Sequence, residues 1–263
     1  MATKQFKILS IAILTRFVIG LAIIWFFAGF TPKGKYDSKG DLTIFQITQS
    51  FANIFVVEQD GKLLMIDSGN PHKGEVLESK LMDIGIDPST IDYLILTHAH
   101  PDHAGNAHYF KEKFGIRILV GFEEEEIIKA KGTDKNLCPR GPLGLLIKQT
   151  HAKRTYEEFV PDIRVKDSFD LSSIGFNGFV QLLPGHTPGS LYVEMGDAIF
   201  VGDLIRGQTL NKKKPAYHLF MCNLEENLKQ IKRLADKTHI KMWYPGHGGP
   251  LSAKKVRTFI DNN

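Results

Sequence analysis

The chain reads as one layered α/β domain, on three observations. Strand-like and helix-like stretches alternate from about residue 41 to the C-terminus, the pattern that stacks helices against sheets. With 263 residues, 43% hydrophobic and 24% charged, the chain can bury a sizeable core and is ordinary for a globular protein. Four strand-like runs end in a short segment bearing histidine or aspartate, and a strand end is a rigid place from which to hang such groups.

Ahead of the domain, Ile8 to Phe30 is apolar apart from Ser10, Thr15 and Arg16. Its length suits a membrane-spanning helix. A signal peptide is the rival reading, but cutting after Ala28 or Gly29 would leave Phe26 or Phe27 where a small residue is needed. Residues 1–30 are therefore expected to be an uncleaved membrane anchor. Lys4 and Lys7 precede the stretch and Lys33, Lys35 and Lys39 follow it, so flanking charge does not choose an orientation. The expectation is a catalytic domain on the extracytoplasmic side. Thr31 to Gly40 is polar and contains Gly and Pro, and reads as a linker. Residues 41–263 form the domain.

Within it, Leu42–Thr48, Asn53–Glu58 and Lys62–Ile66 read as three strands, with Asp60-Gly61 as the turn between the last two. Gly74–Ile84 reads as a helix. Tyr93–Leu96 is an apolar strand that delivers Thr97-His98-Ala99-His100-Pro101-Asp102-His103. Ala104–Phe114 is a helix, Ile116–Val120 a strand and Glu123–Lys131 a helix, its first carboxylates (Glu123 to Glu126) a solvated turn suited to the positive end of the helix dipole. Gly132–Val160 is the least regular stretch and a candidate binding loop. Asp167–Glu194 is strands broken by Gly and Pro, and Asp197–Val201 is a strand. Leu224–Lys237 is a helix whose Leu224, Leu228, Ile231 and Leu234 recur at helical spacing and read as core. Ile240–Tyr244 is a strand, and a last helix covers Ser252–Ile260.

The chemistry sits in the histidines. In an extended segment His98 and His100 point to one side, and a turn at Pro101 brings Asp102 and His103 to a neighbouring point. Imidazole and carboxylate are donors for a borderline-soft divalent metal, and this arrangement suits two adjacent ions better than one. Leu183-Pro184-Gly185-His186, Phe200-Val201-Gly202-Asp203 and Tyr244-Pro245-Gly246-His247 each put Gly directly before another such donor. The two cysteines, Cys138 and Cys222, match no zinc spacing and read as ordinary thiols. The net charge of +4 includes Lys4, Lys7 and Arg16, so the body is near neutral, which argues against nucleic acid as a partner.

His98-x-His100-x-Asp102-His103 followed by His186, Asp203 and His247 resembles the metallo-β-lactamase-fold hydrolases, and Asp67 in Leu64-Met65-Ile66-Asp67-Ser68-Gly69 matches their first strand-end Asp. The resemblance spans about residues 41–263. It implies a four-layer αββα sandwich with metals at one edge between two sheets. It further implies that His98, His100 and His186 hold one metal, that Asp102, His103 and His247 hold the second, and that Asp203 bridges them. Asp67 would orient the ligand loop rather than touch metal. The expected cofactor is two Zn2+, with iron or manganese as alternatives. The expected chemistry is attack by a metal-bridging hydroxide, with Asp102 orienting it or taking its proton.

Departures narrow the branch. Asp203 stands where some β-lactamases have Cys, which speaks against a true β-lactamase. The stretch Gly185-His186-Thr187-Pro188-Gly189 is most similar to glyoxalase II, thioesterases and lactonases. Glyoxalase II carries a helical glutathione-binding segment after its last ligand, and the short tail after His247 argues against a glutathione thioester. The expected substrate is a small-molecule ester, thioester, lactone or phosphodiester. The rivals are an iron persulfide dioxygenase-like enzyme using His98, His186 and Asp203, and a scaffold without activity. Substrate selection is expected from Gly132–Val160 and from Gly207–His218, where Lys212 to Lys214 read as a solvated basic turn. Tyr217 and His218 receive no catalytic role, and nothing in the sequence speaks to oligomeric state.

Overall fold

A computed structural model describes residues 34–37, 42–151 and 154–262. The anchor expected over residues 1–30 lies outside them. Among the described residues no helix is long and apolar enough to cross a membrane.

The first sheet takes seven strands in chain order: β1 (Gly34–Asp37), β2 (Leu42–Gln49), β3 (Ala52–Gln59), β4 (Lys62–Ile66), β5 (Ile91–Ile95), β6 (Arg117–Gly121) and β7 (Ile163–Val165). β1 to β4 form an antiparallel meander, while β4 to β7 run parallel. Parallel neighbours need crossovers, and these are supplied by α1 (Gly74–Asp83), α2 (Pro101–Ala104), α3 (Ala107–Phe114), α4 (Glu125–Lys129) and α5 (Gly141–His151). The second sheet joins β8 (Ser168–Asp170), β9 (Phe179–Leu182), β10 (Leu191–Met195), β11 (Ala198–Gly202), β14 (Met242–Pro245) and β15 (Leu251–Ser252), in the order β15-β14-β11-β10-β9-β8. A short ribbon pairs β12 (Arg206–Gly207) with β13 (Pro215–Ala216). Two helices, α6 (Leu224–Ala235) and α7 (Ala253–Asp261), complete the chain.

Strand parity sorts the core into three layers. Ile54, Val56, Met65, Leu94 and Ile118 face Leu77, Leu81 and Phe110 of the helices on one side. Phe55, Val57, Leu64, Ile66, Tyr93 and Ile95 face Val180, Leu191, Val193, Phe200 and Tyr244 of the second sheet. On that sheet's far side, Tyr192, Ile199, Val201 and Trp243 pack against Ile231, Leu234 and Val256. The result is the αββα sandwich. Phe55 sits edge-on to Phe200 at 5.2 Å and to Tyr244 at 5.6 Å, which pins the two sheets together.

Several local expectations are corrected. Gly34–Asp37, inside the segment read as a linker, is a strand on the first sheet, because the free edge of β2 offers it a ladder. Ala104–Phe114 is two helices, interrupted at Gly105 where the backbone presses on Pro71 and Pro101 and no side chain fits. The irregular Gly132–Val160 stretch contains α5. In α6 the predicted stripe is shifted: Leu224 is exposed and Leu228 half-buried, while Asn227 and Gln230 join Ile231 and Leu234 inside. Asn227 can be buried because its Nδ2 donates to the Leu204 carbonyl.

Candidate metal centre

Five chain segments converge at the C-terminal ends of the central strands. β4 ends in Asp67, β5 in the loop with His98 and His100 leading into α2, β9 in the turn carrying His186, β11 in Asp203 and β14 in His247. The Leu191 N–H donates to the Thr97 carbonyl at 2.7 Å and the Asn53 N–H to the Gly246 carbonyl at 2.8 Å, so the two sheets are laced together where the histidines meet. At Gly246 an added Cβ would collide with the Asp203 carboxylate and the His103 ring. At Gly202 the backbone turns left-handed, φ +48°, and an added Cβ would lie 2.7 Å from Thr97 Oγ1. Glycine precedes Asp203 and His247 for close approach, and His186 for its backbone, φ +151° at Gly185.

The expected donors fall into two adjacent groups. His98, His100 and His186 form one, and Asp102, His103 and His247 the other. In the first, His100 Nδ1 lies 2.9 Å from His186 Nε2. In the second, His247 Nε2 lies 3.4 Å from Asp102 Oδ2 and 3.4 Å from His103 Nε2. Asp203 stands between the groups. Its Oδ2 is 3.9 Å from His98 Nε2, 3.6 Å from His186 Nε2 and 3.3 Å from His247 Nε2, and its Oδ1 is 3.5 Å from His103 Nε2.

All five histidines are oriented from behind. His98 Nδ1 is 3.1 Å from Thr97 Oγ1, His100 Nε2 3.1 Å from Asp134 Oδ2, and His103 Nδ1 2.8 Å from Asp67 Oδ2. His186 Nδ1 is 2.9 Å from the Phe220 carbonyl and His247 Nδ1 2.8 Å from the Phe51 carbonyl. An N–H donated to each outer oxygen leaves the inner nitrogen's lone pair aimed at the centre. His98 Nε2 is buried there with no hydrogen-bond partner. Such buried donors repel one another unless protons or a metal cation lie among them, so this donor set fits a divalent metal.

Asp67 belongs to neither donor group and supports them from behind. With its backbone at φ +60°, it accepts from the Thr97 N–H at 2.8 Å, from Thr97 Oγ1 and from His103. It thus orients two points of the donor loop at once.

Electrostatics divides the metal-free site in two. Burial, reinforced by neighbouring imidazoles, holds His98 well below the usual histidine range. Burial also holds His186 well below it, with Asp203 opposing and His218 and His100 reinforcing. Burial pulls on His247 too, but the Asp203 and Asp102 carboxylates outweigh it and push it up to about 10. His103 is raised in the same way by Asp203, Asp67 and Asp102. Asp203 is held well below the carboxylate range: burial would raise it, and His218, His247 and His103 together prevail.

Three residues missed in the sequence belong to this site. Glu124, in the run read as solvated, is fully buried. It accepts from the Ala99 N–H at 2.7 Å, from Thr187 Oγ1 at 2.6 Å and from the Gly189 N–H at 3.0 Å, bracing the His98–His100 loop against the His186 turn. Burial raises its carboxyl against these bonds. Its position, first turn after β6 beside two strand-end loops, was the available signal, and four consecutive glutamates hid it. His218 is buried with Nε2 3.1 Å from Asp203 Oδ2, burial lowering it to about 4. No strand-turn-Gly pattern precedes it. Asp134 comes from the insertion. Cys138 and Cys222, read as ordinary thiols, form a disulfide. Antiparallel pairing of Pro139 with Phe220 brings them together, a contact across 84 residues that spacing does not reveal. Lys212 to Lys214 are exposed, as expected of a basic turn.

A family model described as the metallo-beta-lactamase superfamily matches residues 47–247. The chain is 27% identical over 215 residues to a Caenorhabditis elegans protein named beta-lactamase-like protein 2 homolog, covering 80% of this chain but 61% of that protein, less than two thirds of its length. It is 24% identical to the probable metallo-hydrolase YflN of Bacillus subtilis, over 81% of this chain and 86% of that one. It is 25% identical to hydroxyacylglutathione hydrolase GloC of Haemophilus influenzae, over 63% of this chain and 75% of the relative. Among solved structures, a subclass B3 metallo-β-lactamase of Bradyrhizobium japonicum superposes with a TM-score of 0.60 at 15% identity, covering 88% of this chain and 90% of that one. At that identity the likeness speaks for the fold.

Proposed function

The chain belongs to the metallo-beta-lactamase superfamily, and from that premise we propose that it is a dinuclear zinc hydrolase of an ester, thioester, lactone or phosphodiester. One observation carries the reading: two donor triads face each other across one shared carboxylate, Asp203, every histidine oriented from behind. The family and these clusters imply divalent metal ions; zinc, and two of them, is the reading the imidazole-rich donor set favours. His98, His100 and His186 would hold one ion, Asp102, His103 and His247 the other, and Asp203 would reach both. Bound there, the ions would supply a hydroxide at neutral pH and polarise the oxygen under attack.

The chain's own residues do the rest. Asp102, its Oδ2 beside His247, is placed to accept a proton at the centre. Asp67 and Glu124 keep the loop in register, and burial excludes bulk water from the inner nitrogens. Among substrates a thioester is favoured. The match to a relative named hydroxyacylglutathione hydrolase supports that class.

The apolar stretch Ile8–Phe30 supports a membrane anchor. The disulfide supports an extracytoplasmic catalytic domain, because such bonds persist in oxidising compartments.

The test is elemental analysis of protein purified without chelator, followed by a panel of thioesters, esters, lactones and phosphodiesters. About two zinc per chain with hydrolysis of one class is the expected result. A single redox-active iron with oxygen consumption would replace the hydrolase by a persulfide dioxygenase-like enzyme.

A further inference from the structure

We propose that the Cys138–Cys222 clasp is a positioning device for one metal only, and that Asp134 is the residue through which it acts. The inference rests on the metal reading above. His100 and His186 face each other at 2.9 Å, and each donates its outer hydrogen bond to a different arm of the clasp. Asp134, on the arm before Cys138, accepts from His100 Nε2 through Oδ2. Phe220, on the arm before Cys222, accepts from His186 Nδ1 through its carbonyl.

The arms are joined along their length. The Arg140 N–H donates to the Leu219 carbonyl at 2.7 Å, the Met221 N–H donates to the Cys138 carbonyl at 2.8 Å, and the disulfide closes the end. Asp134 is fixed within its own arm, because its Oδ1 accepts from the Asn136 N–H at 2.7 Å. The side chain of Asp134 is nearly buried, so the bond to His100 is shielded from water.

The other group is oriented differently. His103 leans on Asp67 and His247 on the Phe51 carbonyl, both on the first sheet's framework. His98 leans on Thr97. The clasp therefore accepts the outer hydrogen bonds of His100 and His186; toward the Asp102–His103–His247 group its arm offers a ring contact, His218 stacked on His247 at 5.4 Å, and no outer acceptor among the described residues. A partner that fixes an imidazole's tautomer and ring angle typically governs metal affinity by about 10- to 100-fold. The pairing makes this an oxidation-dependent assembly: without the disulfide, only backbone hydrogen bonds and side-chain packing hold the arms together.

The experiment is competition for zinc between the protein and a chromophoric chelator, resolving the dissociation constant of each ion, with the visible spectrum of the cobalt-substituted protein as a second readout. Full-length wild type is compared with Asp134→Ala, Asp134→Asn and the double variant Cys138→Ser/Cys222→Ser. Asp134→Ala is expected to weaken one ion by about 10- to 100-fold and leave the other within roughly threefold. Asp134→Asn, which keeps an acceptor oxygen, should recover most of the loss. The cysteine variant should weaken the same ion, and adding Asp134→Ala to it should cost little more. Cobalt bands should change for that ion alone.

Two unchanged constants in folded variants, or two that fall together, would overturn the proposal. Where an alanine or serine variant does not fold, Asp134→Leu, similarly branched but without an acceptor oxygen, decides by its cobalt spectrum: an unchanged spectrum overturns the proposal. If wild type binds one ion and Asp134→Ala weakens it, the dinuclear reading fails while the clasp stands.

Discussion

Every inward histidine nitrogen here is matched by an outward one that donates to protein oxygen, and this decides what single substitutions do. His98→Ala or Asp203→Ala removes a central donor; activity should vanish and metal content fall, with far-UV circular dichroism little changed. An Asp203→Ala protein with full activity would eliminate the bridged site. Glu124→Ala would leave the Ala99 and Gly189 N–H groups unpaired inside the protein. At about 1–3 kcal/mol per orphaned group, urea unfolding should show a loss of roughly 2–6 kcal/mol. Metal uptake should also be tied to pH. In the metal-free protein Asp203 and Asp102 overcome burial to raise His247 to about 10, so His247 carries a proton at neutral pH. Zinc must expel that proton, so affinity should rise with pH up to about 10 and fall as the solution is acidified. Calorimetry in buffers of different ionisation enthalpy would show at least one proton released per chain at neutral pH; no release would contradict the assignment.

At the scale of elements, α6 shows how packing edits a periodic pattern. Leu224 begins the stripe but lies at the open end, whereas Ile231 and Leu234 are fully buried against Ile199, Val201 and Trp243. Ile231→Ala and Leu234→Ala should each cost about 2–5 kcal/mol. Leu224→Ala should cost less, about 1 kcal/mol by the same denaturation measurement, because 36% of its surface stays in water. The helix starts at Asn223, whose side chain accepts from the Glu226 N–H at 2.9 Å. Asn223→Ala should therefore lose about 1 kcal/mol.

Across the whole molecule the site joins the two sheets. His98, His100, Asp102 and His103 hang from the first sheet, and His186, Asp203 and His247 from the second. Metal bound among them acts on the sandwich as a whole. At a hundredfold excess over the dissociation constant, one bound ion adds about 2.7 kcal/mol. Chelation should therefore lower the midpoint of a single cooperative thermal transition by several degrees, and zinc should restore it. An unchanged midpoint would mean that the metals do not bridge the sheets.

The candidate donors that the fold gathers and the alternation of elements were legible in the sequence, because each is a local property: residue type at a strand end, or periodicity along one segment. The αββα layering followed from resemblance, and strand parity in the core bears it out. What only the tertiary structure decided is what depends on contact between distant segments. Glu124 is buried because the His98 loop and the His186 turn close over it, so its charged neighbours in sequence were misleading. Cys138 and Cys222 pair because Pro139 lies against Phe220. Asp134 reaches the back of His100, and His218 the shared Asp203, from loops whose course no local pattern prescribes. The β1 strand exists because an edge of β2 was free to accept it. Sequence declares a residue's chemistry; which groups leave water together, and so which partners they must find, is set by the fold.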